Sequence, residues 1–140
     1  MVSKQVIYAN LEDLYCYEPN LNGKEVMGLI KLGSENLEKL LEMIRLEPLE
    51  IDFSKWDGKT IMELTNGDEF VRALYELGIR IIPVIYDADR INKEKLFGEV
   101  EGYTPIKVKD TKLLDEEKYN EYCRLMYGTP DWEDNSEEVN

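Results

Sequence analysis

Glu25-Val-Met-Gly-Leu-Ile-Lys-Leu32 follows directly on Pro19-Asn-Leu-Asn-Gly23, a run dense in turn residues, and behind that turn lies Val6-Ile-Tyr-Ala-Asn-Leu11. Short apolar runs bounded by turn signals read as strands. With a loop rather than a helix between them, Val6–Leu11 and Glu25–Leu32 are expected to pair antiparallel as an opening hairpin. Downstream, helices and strands alternate irregularly. An opening hairpin followed by helices inserted between later strands makes the expected class α+β, with a mixed α/β sheet as the alternative.

Moving outward, Ser34 is a good N-cap, Glu35 suits the positive end of a helix dipole, and Leu37, Leu40, Leu41 and Ile44 recur at helical spacing. Leu49-Glu-Ile-Asp-Phe-Ser54 alternates apolar with polar, the pattern of a half-buried strand, and Trp56-Asp-Gly58 turns the chain. A second helix is expected after Thr65-Asn-Gly-Asp68, with Phe70, Val71, Leu74 and Leu77 on one face and Gly78 ending it. Ile79–Tyr86 has the β-branched density of a buried strand, although Pro83 removes a ladder donor and favours an edge or a bulge. Val100–Lys109 is expected to return as a strand. The third helix begins at Asp115, an N-cap followed by Glu116 and Glu117, and stops at Gly128 and Pro130. About five strands and three amphipathic helices result. Residues 1–127 are expected to form one globular domain and residues 128–140 a flexible acidic C-terminal tail.

Charge is the strongest functional signal. Thirty Asp and Glu stand against 17 Lys and Arg, a net of −13 without any histidine, and five of the acids (Asp131, Glu133, Asp134, Glu137 and Glu138) fall in the last ten residues. Such a chain is not suited to direct contact with nucleic acid, whose phosphates attract Lys and Arg. The absence of histidine excludes Ser-His-Asp and Cys-His triads and every His-ligated metal site. Neither a G-x-G-x-x-G nor a G-x-x-x-x-G-K-S/T cradle occurs, and no cofactor is expected. Cys16 and Cys123 have no local metal or redox spacing and are expected as reduced thiols, although a disulfide between them stays open. The first residues lack a signal peptide's apolar stretch, and no run has the apolar length of a membrane helix, so a cytoplasmic protein away from membranes is expected.

Two constellations carry chemistry. Asp87-Ala-Asp89, directly after an apolar strand, could hold a hard cation such as Mg²⁺ at the strand end, where a hydrogen-bonded turn is the plainer explanation. The second is distributed: Glu35, Glu38 and Glu42 on the first helix, Asp68, Glu69 and Glu76 on the second, and Glu117 and Glu121 on the third give each helix an acid-rich outer face. Carboxylates in rows can take the place of a phosphate backbone in a basic groove and steer fast association, where ordinary solvated faces are the alternative.

Val6-Ile-Tyr-Ala-Asn-Leu11 resembles the opening strand of ArdA-type antirestriction proteins, which are acidic DNA mimics. The resemblance covers six residues, and the family's downstream acidic motifs are not found in this chain, so it assigns no membership. From the residues themselves, the leading expectation is a small acidic, non-catalytic binding protein. It would act as an inhibitor or DNA-mimicking decoy of a partner protein with a basic, nucleic-acid-binding surface, such as a nuclease or host defence complex. An immunity protein against a cognate toxin fits the same features. A metal-dependent enzyme using Asp87 and Asp89 and a structural or assembly subunit are the rivals from other classes. Oligomeric state is left open.

Overall fold

The computed structural model of the protein describes residues 4–88 and 104–128. Wholly within these residues lie eight strands and four α-helices, in the order β1 (Lys4–Asn10), β2 (Leu14–Cys16), β3 (Asn20–Asn22), α1 (Gly23–Glu35), α2 (Leu37–Leu46), β4 (Ile51–Trp56), β5 (Lys59–Leu64), α3 (Asp68–Glu76), β6 (Ile81–Asp87), β7 (Ile106–Lys107), β8 (Lys112–Leu114) and α4 (Glu116–Tyr127). Single 3-10 turns occupy Leu11–Asp13 and Val108–Asp110. The strands form three small sheets. One is four-stranded in the order β4-β5-β2-β7, the others pair β1 with β6 and β3 with β8. Parallel and antiparallel pairs coexist, with β2 parallel to β5 and β3 parallel to β8. The class is α+β.

The opening hairpin is not formed. Glu25–Leu32 belongs to α1, because the Asn22 side chain accepts from the Glu25 N–H at 3.3 Å and caps a helix that a strand would forgo. Val26, Leu29 and Ile30 recur at helical spacing and pack with Leu21, Ala73 and Leu113, while Met27 is exposed on the other side. β1 therefore finds its partner far away in sequence, running antiparallel to β6 from Lys4 opposite Asp87 to Asn10 opposite Ile81.

The first expected helix also divides. Ser34 does not cap; it sits in the last turn of α1, with its hydroxyl donating to the Lys31 carbonyl at 2.9 Å. Asn36 takes over as cap, accepting from the Lys39 N–H at 3.2 Å, and α2 starts after it. The Trp56–Gly58 turn is present with Asp57 at φ 50° and Gly58 at φ 73°, left-handed values that match the right-handed twist of a two-residue hairpin. It leads into β5, which the sequence did not reveal as a strand. Of the expected strand over Val100–Lys109, Ile106–Lys107 is β7 and a 3-10 turn follows, while residues 100–103 lie outside the described residues.

α3 and α4 have the expected ends. The Gly78 N–H donates to the Tyr75 carbonyl after α3, the Asp115 side chain caps α4 by accepting from the Lys118 N–H at 2.9 Å, and Gly128 closes α4 at φ 80°. Leu11, Leu14, Cys16, Leu40, Ile51, Val71, Leu74, Ile82, Val84 and Val108 form the main core, to which strands and helices each give one apolar face. Among the described residues no helix is long and apolar enough to cross a membrane.

Candidate functional site

The acids read along each helix do not all lie on an exposed outer face. Glu35 ends α1, whereas Glu38 and Glu42 lie on α2 beyond the Asn36 break, so the three do not form one helix face. All three are exposed, as are Glu117 and Glu121 on α4, and Glu38 stands 3.8 Å from Arg45 with both side chains in water. Glu76 forms an ion pair with Arg72 at 2.9 Å. Asp68 and Glu69 depart from the expected outer face: they form the first turn of α3 and are half-buried. Asp87 closes β6 opposite Lys4, and Asp89 lies outside the described residues. Among the described residues no group of three or more Cys, Asp or Glu is placed to hold a metal ion.

Asp68 and Glu69 instead meet Glu18, a residue the helical patterns could not reach. The bend Tyr17-Glu-Pro19 between β2 and β3 places Glu18 near the start of α3, and α4 packs over β3 and β8 beside it. The Tyr122 hydroxyl donates to Glu18 Oε2 at 2.5 Å, the Cys16 thiol donates to the Glu18 carbonyl at 3.3 Å, and the Asn22 N–H donates to Glu69 Oε2 at 3.2 Å. Loop, strand, helix start and C-terminal helix thus converge on three carboxylates.

Every resolved shift around this cluster points the same way. Burial, then Glu69 and Glu18, push the Asp68 carboxyl up from its ordinary 3.8 to about 6. Burial and then Asp68 raise the Cys16 thiol to about 12. Burial and the hydrogen bond to Glu18 raise Tyr122 to about 12. Tyr119 is raised by burial and its hydrogen bond with Cys123, and Glu25 by burial and the charge of Glu69. The common cause is low hydration combined with negative potential. Arg72 is the cation that i, i+4 spacing would put beside Asp68, but its guanidinium donates instead to Glu76 and to the carbonyl and hydroxyl of Thr111. Among the described residues no Lys or Arg forms an ion pair with Glu18, Asp68 or Glu69. The cluster is suited to receiving a positive charge. It is poorly suited to nucleophilic chemistry at Cys16, a buried thiol in a negative field, and Cys16 and Cys123 form no disulfide.

A second polar row crosses the four-stranded sheet. Asp52 faces Glu63, Glu63 faces Tyr15 and Tyr15 faces Lys107 in consecutive registers, with Lys107 Nζ 5.9 Å from the centre of the Tyr15 ring. Glu63 is only 3% exposed. Nothing in local sequence marks this row, because β2 and β7 are too short to show a period.

No family model matches the chain, and no curated protein matches its sequence. Among solved structures it is similar to protein Atu1540 from Agrobacterium tumefaciens, with a TM-score of 0.51 and 12% identity over 79% of this chain and 63% of that one. At that identity the similarity concerns the fold alone. The matched region spans less than two thirds of Atu1540.

Proposed function

We propose that the protein is a small acidic, non-catalytic binding protein that engages a basic, nucleic-acid-binding surface on a partner protein, as an inhibitor or DNA-mimicking decoy of a nuclease or defence complex. The observation that supports this reading is the carboxylate cluster of Glu18, Asp68 and Glu69. Its charge is partly desolvated, and Arg72, one turn on in α3, is bonded to Glu76 and Thr111 instead. Burial first, and the charges of Glu69 and Glu18 second, raise Asp68; a cation delivered from outside would relieve the second of these, which suits the cluster to be an anchor rather than a solvated face. The exposed acids Glu38 and Glu42 on α2 and Glu117 and Glu121 on α4 add long-range attraction, which acts mainly on the association rate.

The test separates anchor from steering. An arginine-rich peptide is titrated against the wild type, a Glu18→Gln/Asp68→Asn variant and a Glu38→Lys/Glu42→Lys variant, at about 50 mM and about 300 mM salt. The first variant is expected to dissociate faster at both salt concentrations. The second is expected to associate more slowly at low salt only. Equal binding by all three proteins would remove both sets of acids from recognition and sink the proposal.

A further inference from the structure

Among the described residues one edge of β1 is open, and the geometry points to a second copy of this chain as its occupant. Among the described residues β1 pairs only with β6, so its other edge has no strand beside it. Which backbone groups reach that edge follows from β6. The Ile85 N–H donates to the Leu49 carbonyl at 2.9 Å, away from β1, so Ile85 and, two residues earlier, Pro83 turn their backbone groups outward. Val6 faces Ile85 and Tyr8 faces Pro83 in the antiparallel register. Both are therefore non-hydrogen-bonded pairs, in which the two members point away from each other, and Val6 and Tyr8 direct N–H and C=O to the open edge. By the same alternation so does Lys4, and so does the N–H of Asn10, whose C=O is taken up as the N-cap acceptor of the following 3-10 turn.

These four positions are self-complementary. Antiparallel pairing of two β1 strands about Ile7 sets Val6 opposite the second copy's Tyr8 and Lys4 opposite its Asn10, and it pairs the outward N–H and C=O of both Val6 and Tyr8. Two Val–Tyr cross-strand contacts arise, a pairing of β-branched with aromatic side chains that stabilises sheets. The side chains are on the solvent face: Val6 is 60% exposed, Tyr8 76% and, beside them on β6, Ile81 56%. Charge permits the same arrangement. Lys4–Asn10 contains no acid in a chain with 30, and Lys4 is already paired with Glu50 at 3.1 Å, so two β1 strands meet without setting like charges directly opposite each other. The strand is about 24 Å long, short of a standard interface, so monomer and dimer exchange with concentration.

Sedimentation velocity of the full chain from about 5 µM to about 500 µM is expected to show a monomer–dimer equilibrium. Over the same range the amide exchange of Val6 and Tyr8 should slow about tenfold while that of Ile7, which faces β6, stays constant. Tyr8→Lys should remain monomeric throughout, and Val6→Thr, which keeps a β-branched residue, should still dimerise. Far-UV circular dichroism checks that each variant is folded. A monomer at every concentration overturns the inference, and so does a dimer whose Val6 and Tyr8 amides exchange at an unchanged rate.

Discussion

Arg72 donates from one guanidinium nitrogen to both the carbonyl and the hydroxyl of Thr111, tying the middle of α3 to the turn that precedes β8. Thr111 is buried, and its hydroxyl donates in turn to the Val108 carbonyl at 2.6 Å. The arrangement holds a cation inside an acidic protein while turning it away from Asp68.

Removing that cation should be costly. Arg72→Met is expected to lower stability by about 2 to 3 kcal/mol, since its side chain is only 14% exposed and the Thr111 acceptor loses a charged donor. Urea unfolding at neutral pH measures the loss. Arg72→Lys should recover only part of it, because an ammonium cannot present the planar fork that reaches Glu76 and Thr111 together.

Asp68→Asn is expected to act in the opposite direction at neutral pH. The folded-state value near 6 lies above the ordinary 3.8, so the folded form binds this proton more tightly. The carboxyl's favourable contribution is full below about pH 3.8 and is lost as the pH rises through 6. The asparagine variant should therefore be more stable than wild type at pH 7.5, by about 1 to 2 kcal/mol, and show no advantage at pH 3.5. An advantage equal at both pH values would mean that the cost of ionising the buried Asp68 carboxyl is not its source.

Two glycines on α1 should respond differently to the same change. A Cβ on Gly33 would lie 2.4 Å from Leu77 Cδ1 and 2.9 Å from Leu40 Cδ2, so Gly33→Ala should destabilise by about 1 to 3 kcal/mol. Gly28 has nothing within 4 Å, and Gly28→Ala should stabilise by about 0.5 to 1 kcal/mol through helix propensity alone. Thermal melts of the two single variants make the comparison.

The two thiols should differ sharply in reactivity. Cys16 is buried and raised to about 12, which leaves almost no thiolate at neutral pH, whereas Cys123 is half-buried. Ellman's reagent is expected to modify Cys123 first and Cys16 only when urea unfolds the chain. Fast modification of both cysteines in the native protein would contradict the burial of Cys16.

Local chemistry alone determined the elements whose signals are complete within one turn. Asp115 and Gly128 bound α4, Gly78 ends α3, and Asp57-Gly58 turns a hairpin; each acts through a dihedral angle or a hydrogen bond to a near neighbour. The excess of acids, and hence the expectation of a basic partner, was equally legible from composition. Glu25–Leu32 was not, because a short apolar run fits both a buried strand and a helix face, and what resolves it is the Asn22 cap and the packing of Val26 against Leu21 and Ala73. The strands β2, β3, β7 and β8, of two or three residues each, are too short to carry any period and exist because distant segments pair with them. For the same reason the carboxylate cluster was only half visible. Asp68 and Glu69 could be named from α3, but Glu18 and Tyr122 meet beside them across 104 residues, and Arg72 is held away from them by a contact spanning 39. Burial and electrostatic repulsion are properties of that meeting, and no window of sequence contains it.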